Sequence, residues 1–86
     1  MSMANEHTFT VTISRVDQQL FHGEALSVSL YGEKGQFTVL AHHEPLITLL
    51  TKGDLTIRTE DDTQVIPIER GMCEISNNQM TVLIQL

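Results

Sequence analysis

Hydrophobic and polar residues alternate along most of this chain with a period of two. In TFTVTIS (8–14), Phe9, Val11 and Ile13 fall on one side of the chain and three threonines fall on the other. The same alternation recurs in ALSVSLY (25–31), QFTVL (36–40), DLTIRT (54–59), QVIPIE (64–69) and QMTVLIQL (79–86). Because successive side chains of a strand point to opposite faces, this period predicts β-strands that each bury one face.

Short segments rich in glycine, asparagine and aspartate separate these strands, and such residues favour the backbone angles of tight turns. The predicted turns are HGE (22–24), GEKG (32–35), KGD (52–54), EDDT (60–63), RG (70–71) and NN (77–78). Four glycines, at 23, 32, 35 and 53, are expected to supply positive φ angles at turns. Short strands with turns at this spacing predict an antiparallel all-β sandwich or barrel.

Two segments depart from the simple strand pattern. In EPLITLL (44–50), Leu46, Leu49 and Leu50 stand at i, i+3 and i+4, so a short helix competes with a strand there. Pro67 lies inside a strand pattern. Because proline has no N–H to donate to a neighbouring strand, it predicts an edge strand or a bulge at that position.

Composition adds that this is one folded domain. The 86 residues are 41% hydrophobic and 19% charged, which predicts a single globular domain over 1–86, with 1–7 as a loose N-terminal tail. The single cysteine, Cys73, lies in the apolar-leaning stretch MCEI and is expected to be a small buried hydrophobic residue.

The charge balance argues against several partners. The net charge is −6, and the five basic residues are scattered. Nucleic acid, whose phosphates require clustered cations, is therefore not expected as a partner. The N-terminus lacks a signal-peptide pattern, and no apolar run approaches the roughly 18 residues that span a bilayer, so direct membrane insertion is not expected either.

The residues with the most chemical potential lie in VLAHHEPLITLL (39–50), where His42, His43 and Glu44 interrupt an apolar run. They could hold a metal ion, act as an acid/base pair, or form a binding loop. Adjacent strand residues point to opposite faces, so the two histidines could share one ion only in an irregular loop. A small metalloprotein or ligand-binding module built on these three residues stays open as an alternative to a binding loop.

Several motifs, taken together in order, resemble a known family. They are F-x-V-x-I (9–13), QQLFHGEA (18–25), V-x-L-x-G-x-x-G-x-F-x-V-L (28–40), H-x-P-L-I-T-x-L (43–50), K-G-x-L-x-I (52–57) and M-T-V-L (80–83). In this arrangement the chain resembles the N-terminal domain of the epsilon subunit of the F-type ATP synthase. The resemblance covers roughly residues 8–84.

The resemblance implies a flattened antiparallel β-sandwich of about ten short strands. It also implies a non-catalytic rotor subunit of the central stalk, peripheral to the cytoplasmic face of the membrane, which couples ion-driven rotation to ATP synthesis. Its implied partners are the gamma subunit and the c ring. The implied c-ring contacts are Glu33, Gln36, His43 and Glu44, and the implied gamma-subunit contacts are Arg15 and Thr48.

This sequence departs from the family at two places that matter for function. The family usually has Pro-Gly before its histidine, where this chain has Ala41 and His42, so the backbone of that loop is in question. The helical hairpin that follows the sandwich in the family is absent from the sequence. Neither its inhibitory action nor nucleotide binding is therefore expected here, and no cofactor is expected.

Overall fold

The described part of the chain, residues 7–85 of a computed structural model, consists mostly of strands joined by short turns. The nine strands are β1 (Phe9–Arg15), β2 (Gln18–Ala25), β3 (Ser27–Gly32), β4 (Gly35–Leu40), β5 (Leu46–Leu50), β6 (Gly53–Arg58), β7 (Thr63–Ile68), β8 (Arg70–Ser76) and β9 (Gln79–Gln85). Of the predicted N-terminal tail (1–7), residues 1–6 lie outside the described residues, and His7 is exposed.

The strands form one continuous sheet that curls into two halves. The order is β2-β1-β9-β8-β5-β3-β6-β7, with β4 on β3. The link between β5 and β3 is a single residue pair, Gly32 with Leu50. One half therefore contains β2, β1, β9, β8 and β5, and the other contains β4, β3, β6 and β7.

Both halves bury side chains in one core, which makes the curled sheet a β-sandwich and confirms the predicted fold class. Each of the nine strands contributes at least one buried apolar side chain. These are Phe9, Val11, Ile13, Ala25, Val28, Leu30, Val39, Leu50, Leu55, Ile57, Ile68, Cys73, Ile75, Met80, Val82 and Ile84. Alternation with a period of two produced this core, because every second strand residue faces inward.

The described residues form nine strands, in agreement with the about ten expected. One detail of the predicted sandwich differs. One strand pair, β1 with β9, is parallel, whereas an antiparallel sandwich was expected; the other pairs are antiparallel. A tight hairpin forces its two strands to be antiparallel. The strands β1 and β9 lie far apart in the sequence, so no turn fixes their relative direction.

Two of the predicted turns, HGE and RG, are strand segments. Residues 22–24 lie within β2, where Gly23 pairs with Val11. Residues 70–71 open β8, and Gly71 pairs with Ile84 of β9. The turns at 32–35 and 77–78 are confirmed, with positive φ at Gly35 and at both asparagines.

The two ambiguous segments are resolved by the sheet. Residues 46–50 form β5 and pair with β8 from Leu46 to Leu50, so the helical alternative is wrong. Pro67 lies in β7, which ends the strand order and pairs with β6 alone in the described sheet. The prediction of an edge strand at Pro67 is confirmed.

Candidate functional site

Five exposed apolar side chains lie together on the outer face of β5, β8 and β9 and on the β1–β2 turn. We call this group the apolar patch; it consists of Val16, Ile47, Leu49, Met72 and Leu83. Leu49 pairs with Met72, and Met72 pairs with Leu83, so three of them form one row across three strands. Val16, at the β1–β2 turn, is 95% exposed. A contiguous exposed apolar surface of this kind marks an interaction site.

A shallow groove of about 520 Å³ runs along the patch. Its lining residues are Val16, Leu49, Leu50, Arg70, Gly71, Met72, Leu83, Ile84 and Gln85. Arg70 is the one charged residue among them. A partner with an apolar ridge and a carboxylate near its end would therefore match both the groove and its single cation.

The remainder of the same sheet face, on β1 and β2, is polar and internally hydrogen-bonded. Thr8 and Thr10 donate to the carboxylate of Glu24 over 2.8 and 2.7 Å. The hydroxyl of Thr12 and Nδ1 of His22 lie 2.9 Å apart and share a hydrogen bond. The two threonine hydroxyls lower the pKa of Glu24, because they stabilise its charged form. The apolar patch thus ends at a polar boundary.

A second groove, of about 330 Å³, lies between the β3–β4 turn and β5. We call it the turn groove; it is lined by residues 32–37 together with Leu46 and Thr48. Gly35 has a φ of 114°, which suits glycine at this turn. The structure thus brings Glu33 and Gln36, both predicted c-ring contacts, to one groove.

The other two predicted c-ring contacts, His43 and Glu44, lie in the loop between β4 and β5. This loop lies at the end of β4 opposite to the β3–β4 turn, because β3 pairs with β4 from Ser27–Leu40 to Gly32–Gly35, and neither His43 nor Glu44 lines the turn groove. Leu46 lines the turn groove. Glu44 is two residues from Leu46, a span of at most about 7 Å. Nδ1 of His43 donates to the carbonyl of Glu44 over 2.7 Å.

The two predicted gamma-subunit contacts lie on different surfaces. Arg15 ends β1 directly before Val16 of the apolar patch, and its Nε lies 3.3 Å from a carboxylate oxygen of Asp17. The hydrogen bond and charge of Arg15 lower the pKa of Asp17. Thr48 lines the turn groove instead. The strand β5 connects the two surfaces, since Leu49 lies in the patch and Thr48 faces the groove.

His42 adopts the backbone conformation that the family's glycine would favour. Its φ is 65°, in the left-handed region that L-residues with a Cβ occupy at a cost. Its N–H donates to Oδ1 of Asn78 over 2.7 Å. His42 thus takes a positive φ at the position where the family usually has glycine.

His42→Gly is expected to be more stable than His42→Ala by about 1 kcal/mol, because glycine adopts a positive φ without the Cβ penalty. Both variants remove the imidazole, so their difference isolates the backbone. Urea unfolding followed by circular dichroism measures it. Equal midpoints for the two variants would show that the left-handed bend carries no cost.

Within the described residues, His42, His43 and Glu44 do not form a metal centre. Among the residues that the structure describes, no group of three histidine, cysteine, aspartate or glutamate side chains is placed to hold an ion. Within the same residues, no helix has the length and hydrophobicity needed to cross a membrane.

Sequence reasoning missed the apolar patch, although the sequence contains a signal for it. In LITLL (46–50), apolar residues occupy both faces of a strand, and in QMTVLIQL Leu83 stands on the otherwise polar face. A strand that is apolar on both sides must be covered on both sides. Since one face of β5 packs in the core, its other apolar face is a candidate interaction surface.

Comparison with known proteins places this fold in a family. The family model described as "ATP synthase, Delta/Epsilon chain, beta-sandwich domain" matches residues 8–85. The ATP synthase epsilon chain of Sulfurimonas denitrificans is 43% identical over 67 residues, which are 77% of this chain and 52% of that protein. The epsilon chain of Wolbachia pipientis wMel is 30% identical over 78 residues, covering 90% of this chain and 68% of that one.

Solved structures share the fold at low sequence identity. The chain matches a subunit in a structure titled "Cryo-EM structure of Euglena gracilis mitochondrial ATP synthase, OSCP/F1/c-ring in rotational state 1", with a TM-score of 0.84 and 20% identity over 91% of this chain and 51% of that one. This chain thus spans about half the length of the Sulfurimonas relative and of the Euglena subunit. From the match over residues 8–85, the chain belongs to the ATP synthase delta/epsilon family, as its β-sandwich domain.

Proposed function

We propose that this chain is a non-catalytic rotor subunit of an F-type ATP synthase. It binds the gamma subunit through the apolar patch and the c ring through the turn groove and the His43–Glu44 loop. In this role it lies peripherally at the cytoplasmic face of the membrane. It couples ion-driven rotation of the ring to ATP synthesis in the catalytic head.

The observation that carries the proposal is the apolar patch. Its row from Leu49 to Leu83 crosses three strands without a polar interruption, and it borders a hydrogen-bonded polar half of the same face. A permanent assembly buries such a surface, because apolar area removed from water contributes roughly 25 cal/mol per Å². Membership of the ATP synthase family supports a partner among the subunits of that complex.

The residues beside the two surfaces support the partner proposed for each. Arg15 precedes Val16, so a gamma subunit on the patch would meet the Arg15 side chain as well. The same subunit would also contact Thr48 if it extended past β5. The side of β5 that faces β3 is largely unpaired, because β5 pairs with β3 at Leu50 alone. Glu33 and Gln36 give the turn groove a polar rim suited to the c ring. Torque transmission requires two such attachments on one rigid domain.

Leu83→Glu is expected to weaken binding of the chain to the gamma subunit at least about tenfold, because a buried unpaired charge costs more than the roughly 1.4 kcal/mol that a tenfold change requires. Thr81→Glu is the matched control. It adds the same charge two residues away on the same face of β9, outside the patch. Titration calorimetry with purified gamma subunit measures both affinities.

Each outcome of that titration is decisive. An affinity loss in Leu83→Glu, with Thr81→Glu within about twofold of the unmodified chain, supports the gamma site. Equal losses would assign the effect to net charge and remove the patch from the proposal. If the unmodified chain bound neither gamma subunit nor c ring, the proposed function would be wrong.

A further inference from the structure

The side chain of Asn78 connects three parts of the chain that are distant in sequence. Asn78 is the second residue of the β8–β9 turn. Its Oδ1 accepts the N–H of His42 over 2.7 Å, and its Nδ2 donates to the carbonyl of Thr8 over 3.0 Å. Its own carbonyl accepts the N–H of Thr10 over 3.2 Å. These bonds join the turn to the beginning of β1 and to the β4–β5 loop.

The turn conformation makes this arrangement possible. Asn77 and Asn78 have φ angles of 53° and 59°, as the two central residues of a type I′ hairpin require. Asparagine tolerates this conformation and brings a side chain with both a donor and an acceptor. Glycine would satisfy the backbone equally well but would form neither side-chain bond. Asn78 therefore does more than form a turn.

The bond to His42 fixes the loop immediately before His43 and Glu44. His42 is held at a φ of 65°, which determines the direction in which the chain leaves it. The other end of the loop is fixed by β5, whose first residue, Leu46, pairs with Ile75 of β8. Since the β8–β9 turn follows Ile75 closely, β8 and its turn hold both ends of the loop.

We infer that Asn78 is a positioning residue, which holds His43 and Glu44 in the conformation that meets the c ring. This inference rests on the proposed function, because it needs the loop to be a contact. A loop held before binding avoids the ordering cost that a free loop would incur on association. Asn78 itself need not touch the partner.

Asn78→Gly is the test, and Asn77→Gly is its matched control. Both keep the positive φ that the turn requires, but only the first removes the side-chain bonds to His42 and Thr8. Amide hydrogen exchange, followed by nuclear magnetic resonance, should show the His42 amide exchanging roughly tenfold faster in Asn78→Gly. In Asn77→Gly it should exchange within about twofold of the unmodified rate. Amides of β9 report global opening in each variant.

Binding provides the second readout. Affinity for the c ring should fall roughly fivefold in Asn78→Gly, which corresponds to the net contribution of about one hydrogen bond, while affinity for the gamma subunit stays unchanged. Asn78→Asp keeps an acceptor for the His42 N–H and loses the donor to Thr8. It should therefore restore most of the His42 protection and most of the c-ring affinity.

The outcomes separate this inference from the proposed function. Unchanged exchange at His42 in Asn78→Gly overturns the positioning role. Faster exchange with unchanged c-ring affinity also overturns the positioning role. Glu33→Lys, at the turn groove, is the control that shows whether the same assay detects a weakened c-ring contact. If the unmodified chain does not bind the c ring, the proposed contact fails, and the role given to Asn78 fails with it.

Discussion

Replacing Gly71 with alanine is expected to destabilise the folded chain by about 3 kcal/mol, because the added methyl group collides with backbone. A Cβ at this position would lie 2.5 Å from the carbonyl oxygen of Leu83 and 3.4 Å from Cα of Ile84. Both atoms belong to β9, the central strand that pairs with β8 on one side and β1 on the other. Neither atom can move aside without breaking strand pairing.

Gly23→Ala provides the control for this prediction. Gly23 is also a strand glycine, but a Cβ there would meet only the ring of Phe21, at 3.6 Å, an ordinary van der Waals distance. We expect Gly23→Ala to leave stability unchanged or to raise it by about 0.5 kcal/mol, since alanine loses less backbone entropy on folding. Urea unfolding of both variants measures the difference. If Gly71→Ala and Gly23→Ala were equally stable, β8 and β9 would be able to move apart and accommodate the added methyl group.

The two glycines also show where prediction from sequence stops. Local alternation identified six strand segments, because the period of two depends only on neighbours in the sequence. Gly23 and Gly71 were predicted to lie in turns. The sequence alone does not distinguish a glycine that adopts a positive φ from a glycine that lets two strands approach closely. Only the position of Leu83, twelve residues later in the chain, shows why Gly71 is glycine.

For the candidate site, too, the sequence predicted local features but not contacts between distant segments. The resemblance named Glu33 and Gln36, and both line the turn groove, while their contact with the c ring stays a prediction. The apolar patch combines side chains from the β1–β2 turn, β5, β8 and β9, and its existence depends on strand order, which alternation does not encode. The contacts of Asn78 span 36 and 70 residues of sequence. For that reason NN could be recognised as a turn but not as a link to the loop.

Cys73 is expected to react with a disulfide reagent at pH 8 at least about a thousandfold more slowly in the folded chain than in the unfolded one. Its side chain is fully buried, and burial raises the pKa of its thiol from 9.0 to about 12. Since the thiolate is the reactive form and burial disfavours it, the thiol reacts through openings that expose it, and an opening free energy of about 4 kcal/mol slows the reaction about a thousandfold. Cys73 is the chain's only cysteine, so the reaction reports one site.

A variant with Cys73→Ala and Thr81→Cys calibrates the rate, because position 81 is exposed on the same sheet. Its thiol should react at nearly the unfolded rate; similar rates for the two proteins would mean that β8 is open in the native state. Cys73 pairs with Thr48 of β5 and with Val82 of β9 and lies next to Met72 of the apolar patch. Its side chain faces the core, so its reaction requires β8 to open away from the rest of the sandwich. A gamma subunit that binds the folded chain should slow this reaction further, and if the patch is the interface this added protection should be smaller in Leu83→Glu than in Thr81→Glu.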